Sequence, residues 1–278
     1  MAGGSEPVFD LRDISYAYPG GRPALEKVDL EVAEGDRLVI LGANGSGKST
    51  LLKLMDGLIF PTGGTFKAFG RTISEEALEG GDFNADFRRR VAFVFQDSDI
   101  QLFSPTVFEE VAFGPLQLDI SVDDAARRAE DVLNMLGLAS LRDRQPHQLS
   151  GGEKKKVAIA AALAIGPDVL LLDEPTNNLD PRTRAWLLEL LLELGRAGKT
   201  IILATQDLDL AADFADTVVI LDERHRIAAA GPATLLADTG LLVSVNLLHE
   251  HWHRHGRKAH SHTHSHLAGH EHEHPLPE

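Results

Sequence analysis

Leu38-Val39-Ile40-Leu41-Gly42-Ala43-Asn44-Gly45-Ser46-Gly47-Lys48-Ser49-Thr50 is the stretch that decides the fold. Its last nine residues fit G-x-x-x-x-G-K-[ST], behind a four-residue apolar run and ahead of a helical stretch from Leu51 to Met55. Strand, glycine-rich loop and helix in that order make a phosphate cradle. The glycines let successive backbone N–H groups turn inward, and the helix N-terminus adds partial positive charge. In such a cradle Lys48 is expected to reach the β- and γ-phosphates and the Ser49 hydroxyl to ligate Mg²⁺. Thr50 is expected to support the α-phosphate.

A second apolar run, Val169 to Leu172, ends in Asp173-Glu174. An unbroken apolar run is the pattern of a parallel strand buried on both faces, and ligands bind beyond the carboxyl ends of such strands. Asp173 is expected to hold Mg²⁺ through water, and Glu174 to take a proton from the attacking water. Val91 to Phe95, Ile201 to Ala204 and Val218 to Leu221 complete the parallel candidates with Leu38 to Leu41. Phe9 to Tyr16, Val28 to Val32 and Thr65 to Phe69 read as further strands around this core. Helices are expected over Thr183 to Leu194 and Val122 to Leu136, the latter behind Ser121-Val122-Asp123-Asp124, a capping-box start with Asp in place of Glu.

Between cradle and acidic strand end lies Leu149-Ser150-Gly151-Gly152-Glu153. With it the chain resembles the ABC-transporter ATPases over roughly residues 8–240. The resemblance implies an α/β, P-loop NTPase domain with an antiparallel β subdomain and a helical subdomain inserted at about 97–165. A disordered N-terminus, 1–7, would precede it, and an extension, 241–278, would follow. The resemblance assigns Tyr18 to stacking on adenine. It assigns Gln96, after the strand ending at Phe95, to Mg²⁺ and to sensing a membrane partner, and Asn177-Asn178-Leu179-Asp180 to a loop crossing a dimer interface. Ser150, Gly151 and Gly152, ahead of a helix from Glu153 to Ile165, would contact the γ-phosphate bound by a second subunit. Two ATP molecules would then lie between two chains. The implied catalytic set is Glu174, Gln206 and Lys48, with Mg²⁺ held by Ser49, Gln96 and Asp173.

A finer match runs through Gln101-Leu102-Phe103-Ser104-Pro105-Thr106-Val107 and Val111-Ala112-Phe113-Gly114-Pro115. With Glu153-Lys154-Lys155 and Val157-Ala158-Ile159-Ala160 it is similar to the ATPase of energy-coupling-factor importers, cobalt/nickel branch. That implies a homodimer at the cytoplasmic face of the membrane, working with a transmembrane coupling protein and a substrate-binding membrane subunit. The region from about Gln96 through Leu141 would face the coupling helices, and Phe103, Phe108 and Phe113 read either as core or as walls of a docking groove. One residue departs from the pattern: the family carries a histidine after the strand Ile201 to Ala204, and here Gln206 stands there. Its amide donates to phosphate and accepts from water but exchanges no proton, so positioning and hydrolysis are expected to survive at a reduced rate.

Eleven of the thirteen histidines follow Leu248: His249, His251, His253, His255, His260, His262, His264, His266, His270, His272 and His274. Imidazole, with a reference pKa of about 6.5, offers neutral nitrogen donors that suit Ni, Co, Zn and Cu. The His-x-His alternation puts side chains on one side of an extended chain, although no fixed fold is expected of the tract. Cargo of nickel or cobalt ions follows from tail and resemblance together. The rival readings are a biotin-type vitamin importer with an incidental tail, a soluble ABC ATPase of repair or translation, and a non-enzymatic metal buffer with an impaired ATP site.

At 278 residues with a formal charge of −15, the chain suits one domain with appendages and repels nucleic acid and anionic lipid alike. It has no cysteine, which rules out thiolate metal sites. Its longest apolar helix candidate, Val157 to Ile165, stops at Gly166-Pro167, too short to span a bilayer. A cytosolic protein held at the membrane by partners is the expectation.

Overall fold

The computed structural model describes residues 6–255 and 258–265. The expectations for residues 1–5 of the N-terminus and for His266, His270, His272 and His274 lie outside the described residues. A six-stranded sheet forms the centre, in the order β10-β9-β3-β8-β7-β6. Its strands are β3 (Arg37–Leu41), β6 (Val91–Val94), β7 (Val169–Asp173), β8 (Thr200–Thr205), β9 (Thr217–Leu221) and β10 (Ile227–Pro232). All pairings are parallel except β10 against β9. A four-stranded antiparallel sheet, β2-β1-β4-β5, is built from β1 (Phe9–Tyr18), β2 (Arg22–Val32), β4 (Gly63–Ala68) and β5 (Arg71–Thr72).

The apolar strands are buried on both faces, and alternate residues serve two different cores. Val39, Leu41, Leu170, Leu172, Ile201 and Leu203 face a helical layer. That layer holds α4 (Val107–Gln117), α5 (Val122–Met135), α6 (Gly151–Ala164), α7 (Pro181–Arg196) and α8 (Leu208–Phe214). Leu38, Ile40, Leu171, Ile202 and Ala204 face the opposite way. There they meet α1 (Lys48–Met55), α3 (Gly81–Arg90) and the antiparallel sheet through Phe9, Phe66, Phe87 and Leu51. A short α2 (Glu75–Leu78) links β5 to α3. Past residue 240, α9 (Thr239–Ser244) still packs Leu242, with Val245 and Leu247 just beyond it, into the helical-side core.

All five expected parallel strands are present. The ladder of β6 ends at Val94, one residue short of the expected Phe95, because the Phe95 N–H donates to Gln101 Oε1 at 3.0 Å instead. The helix expected from Glu153 starts at Gly151. Ser150 is its N-cap, and Ser150 and Glu153 close a reciprocal capping box, which draws both glycines into the first turn. Ser121 caps α5 as expected, accepting from the Asp124 N–H at 3.2 Å. After α9 the backbone of β11 (Leu248–His255) pairs antiparallel with β12 (Lys258–Ser265).

Candidate functional site

Strand order assembles the site. β3, β8 and β7 are neighbours, with Leu41 paired to Thr205 and Asp173 to Ala204, so their carboxyl ends lie side by side. The loops leaving that edge are Gly42–Gly47, Gln206–Asp207 and Glu174 onward, although the first lies more than a hundred residues from the other two in sequence.

The cradle admits little but glycine at two of its positions. A Cβ on Gly42 would meet Ser46 Oγ and, at 2.9 Å, the Leu221 carbonyl oxygen. Gly47 has φ +110°, and a Cβ there would run into the Ala24 carbonyl oxygen. Lys48 opens α1 and is buried, its ammonium donating to the Gly42 and Ala43 carbonyls at 2.8 and 3.3 Å. The buried Ser46 hydroxyl has no partner. An unpaired buried hydroxyl, inward-turning glycines and a buried cation are what a polyphosphate would satisfy. Tyr18 lies at the rim, 39% exposed, its hydroxyl 3.2 Å from Thr50 Oγ1.

Ser49 Oγ donates to Asp173 Oδ1 at 2.9 Å. Hydroxyl and carboxylate are oxygen donors of the kind a hard divalent cation takes. Glu174, at φ +41°, sits in the left-handed region that costs a non-glycine residue strain. It is held there by its own N–H, which donates to the Ala204 carbonyl at 2.8 Å. Its carboxylate accepts from Thr205 Oγ1 at 3.2 Å, and its Oε1, which lacks a well-aligned hydrogen bond, lies 3.3 Å from Lys48 Nζ. Burial raises the pKa of both carboxylates above the ordinary range. Lys48 and Thr205 oppose the rise at Glu174; Ser49, Lys48, Lys53 and Lys155 oppose it at Asp173. A raised carboxyl pKa brings a general base closer to working pH. Gln206 follows Thr205 directly and is half-buried. The next residue, Asp207, caps α8 and pairs with Arg184 at 2.7 Å.

Gln96, Ser150, Gly151 and Gly152 make no direct hydrogen bond to Lys48, Ser49, Asp173 or Glu174 among the described residues. Gln96 shares a cleft with Gly151, Lys154, Lys155 and Asn177–Leu179. Gly152 lies against Thr183 at the start of α7, and the Ser150 hydroxyl is engaged by Glu153 at 2.8 Å. Among the described residues no hydrogen bond joins these glycines to Gly42–Thr50.

Three further residues shape the region: Lys155, which the motifs include without giving it a role, and Glu110 and His225, which lie outside them. Lys155, 3% exposed, donates to the Phe95 and Gln96 carbonyls at 3.0 and 2.9 Å. It thereby ties the helix behind Ser150 to the Gln96 turn. Burial pulls its pKa down to about 8, against the pull of Asp173 and Asp97. Glu110 is buried in α4, and its Oε2 accepts from the Phe103 and Ser104 N–H groups at 2.8 and 2.7 Å. His225, at φ +62°, places Nδ1 3.2 Å from the Ser46 carbonyl oxygen beneath the cradle. The only advance signal was at Lys155, a cation running into the apolar stretch that begins at Val157.

A groove of about 500 Å³ opens between α3, α4 and α6, with Asp56, Arg88, Phe93, Phe95, Phe103 and Phe113 among its lining residues. Phe103 and Phe113 are exposed and meet edge to face at 4.8 Å, whereas Phe108 packs on the core beneath the Arg142 guanidinium. Phe108 also lines a neighbouring groove of about 420 Å³ with Phe103 and Phe113, so it serves as packed wall as well as core edge.

Fold and site define a nucleoside-triphosphate-binding α/β domain. The ABC transporter family profile matches residues 25–177. The chain is 54% identical over 248 residues, 88% of its own length and 90% of the relative's, to a provisionally named ABC transporter ATP-binding protein of Methanosarcina acetivorans. It is 49% identical to the nickel import ATP-binding protein NikO of Rhodobacter capsulatus, covering 87% of this chain and 96% of that one. Among solved structures, CbiO1 of Clostridium perfringens, described as part of the ABC transporter complex CbiONQ, superposes with TM-score 0.74 at 33% identity, over 87% of this chain and 96% of that one. A dimeric ATP-binding cassette bound to ADP and Pi superposes with TM-score 0.72 at 29% identity, over 81% of this chain and 98% of that one. The chain belongs to the ABC transporter ATP-binding proteins. It is an ATPase whose hydrolysis is coupled to transport, in a family whose members dimerise and act with transmembrane components. Among the described residues no helix is long and apolar enough to cross a membrane.

Proposed function

We propose that the chain is the ATP-hydrolysing subunit of an energy-coupling-factor importer for nickel or cobalt ions. It works as a homodimer at the cytoplasmic face of the membrane, with a transmembrane coupling protein and a substrate-binding membrane subunit. One convergence supports the reading: Lys48, Ser49, Asp173 and Glu174 meet at one sheet edge in a chain 49% identical to a nickel import ATP-binding protein.

In this reading Lys48 leaves Glu174 for the β- and γ-phosphates when ATP enters, and Thr50 supports the α-phosphate while Tyr18 stacks on adenine. The backbone N–H groups of Gly42, Asn44, Gly45, Ser46 and Gly47 line the phosphate path. Mg²⁺, when bound, spreads the charge of the phosphate oxygens, and Ser49, Asp173 and Gln96 are the residues to hold it. Glu174, released from Lys48, takes the proton of the attacking water, and Gln206 positions that water or the γ-phosphate. Ser150, Gly151 and Gly152 close on the nucleotide of the second subunit. The Phe103–Phe113 groove receives the coupling protein, and Lys155 connects it to Gln96 and the helix behind Ser150.

Hydrolysis by the purified chain tests the site. Turnover should rise with protein concentration as dimers form, and Glu174→Gln should lower it by about 10²–10⁴ while Mg-ATP still binds. Hydrolysis unaffected by Glu174→Gln would remove the residue from its role.

A further inference from the structure

Few contacts hold the Glu174 carboxylate, and the one that survives nucleotide entry comes from Thr205. On the reading above, Lys48 leaves Oε1 for the phosphates. Among the described residues that leaves a single hydrogen bond on the carboxylate, donated to Oε2 by Thr205 Oγ1 at 3.2 Å. The Thr205 hydroxyl is itself fixed. The residue is fully buried at the end of β8, and its Oγ1 accepts from the Asp207 N–H at 3.0 Å. A hydroxyl has one proton to give, and an ionised carboxylate only accepts. With Asp207 on the oxygen, the proton is directed to Glu174.

Asp207 is fastened at three points. Besides its N–H, its Oδ1 accepts from the Leu210 N–H at 3.0 Å, and its Oδ2 pairs with Arg184 at 2.7 Å. The Asp207 side chain is 5% exposed and that of Arg184 38%, so a buried carboxylate reaches outward to a cation at the surface. Arg184 stands in the first turn of α7, where its N–H donates to the Asp180 carbonyl at 2.9 Å. The Asp180 carboxylate caps the same turn, accepting from the Arg182 and Thr183 N–H groups at 3.0 and 3.1 Å. From there the chain runs back through Asn177, whose N–H donates to the Glu174 carbonyl at 3.2 Å.

Chain and hydrogen bonds therefore close a ring through Glu174, residues 177–180, Arg184, Asp207, Thr205 and Glu174 again. In a closed ring no member shifts without moving its neighbour or breaking a link. Gln206 lies between two of its members and is carried with them. The ring matters for rate because a glutamate has several free torsions, and a reacting group misplaced by about 1 Å costs up to about 10²-fold.

We propose that Thr205 is a positioning residue that aims the Glu174 carboxylate at the attacking water, and that the Asp207–Arg184 pair holds the Thr205 hydroxyl to that task from the first turn of α7. This rests on the reading of Glu174 as the base and adds what sets its direction.

The test is steady-state ATP hydrolysis by the full-length chain with Mg²⁺, at protein concentrations where turnover per chain has levelled off. Mg-ATP binding is followed separately with a fluorescent nucleotide, and folding by urea unfolding. Thr205→Val keeps the shape and removes the hydroxyl, so it should lower kcat about 10–100-fold while KM stays within about threefold. Thr205→Ser restores the donor and should bring kcat back to within about threefold of wild type. In a Glu174→Gln background, Thr205→Val should change the residual rate less than about threefold, because the group it aims is gone. Arg184→Met, a change at the surface, should lower kcat about 3–10-fold without weakening Mg-ATP binding.

Undiminished kcat in Thr205→Val, no recovery in Thr205→Ser, or an equal loss with and without Glu174 would overturn the positioning role while leaving Glu174 as the base. Unchanged kcat in Arg184→Met would overturn the proposal even where Thr205→Val does not fold. Hydrolysis indifferent to Glu174→Gln would overturn the reading of the base, and this inference with it.

Discussion

Asp56 closes α1, the helix that carries the cradle, and offers a sharp physical test. Its carboxyl is 7% exposed, and burial raises its pKa to about 7 against the opposing charge of Arg88. A negative charge at a helix C-terminus also opposes the macrodipole. Arg88 does not depend on that carboxylate. Its Nη1 donates to the Asp56 carbonyl at 2.7 Å and Nη2 to the Gly57 carbonyl at 3.5 Å, while the contact to Asp56 Oδ2 is 3.4 Å. Asp56→Asn should thus remove a poorly solvated charge without orphaning the guanidinium. The sign follows from linkage. A carboxyl whose pKa is raised by folding stabilises the native state fully below the unfolded value of about 4, and that contribution is lost as pH climbs through about 7. At about 1.4 kcal/mol per pH unit, the window is worth at most about 4 kcal/mol. The stability difference between wild type and Asp56→Asn, from urea unfolding at pH 4.5 to 8, should therefore grow with pH. The variant should gain about 2–4 kcal/mol by pH 8 and almost nothing at the acid end. Parallel stability curves would refute a buried, proton-holding Asp56.

Three other outcomes follow from the same geometry. Gly47→Ala forces a Cβ into the Ala24 carbonyl at φ +110°, so it should cost about 2–4 kcal/mol of stability and abolish ATP binding by fluorescent-nucleotide titration; retained binding would contradict the cradle geometry. Glu110→Ala frees the Phe103 and Ser104 N–H groups, which should lower stability by about 1.5–3 kcal/mol and weaken co-purification with the membrane subunits more than basal ATPase; unchanged assembly would show the groove loop is not what docks. Gln206→His should leave turnover within about tenfold, whereas a hundredfold rise would show that the native glutamine acts as a brake.

Much of the architecture was legible because the central strands are buried on both faces, which writes β3, β7, β8 and β9 as unbroken apolar runs. β10 left no such mark: Ile227-Ala228-Ala229-Ala230-Gly231-Pro232 lies at the sheet edge, half-buried and exposed by turns, and lacks a β-branched run. The start of α6 is hard to read because glycine is a poor helix former, and the Ser150–Glu153 box nonetheless draws Gly151 and Gly152 into the first turn. At the site, residues whose function follows from spacing were readable, as at Lys48 and Ser49. Residues that act through distant backbone were not. Lys155 bonds carbonyls 59 and 60 positions away, and His225 meets a carbonyl 179 positions away, separations to which no local pattern is sensitive.

The central claim is ATP-driven import of a transition metal. Its most direct test is uptake of nickel and of cobalt, measured separately, by cells carrying the complete transporter with either wild-type chain or Glu174→Gln. The account predicts uptake of at least one metal, lost with Glu174→Gln. Uptake indifferent to Glu174→Gln, or absent for both metals, would contradict it.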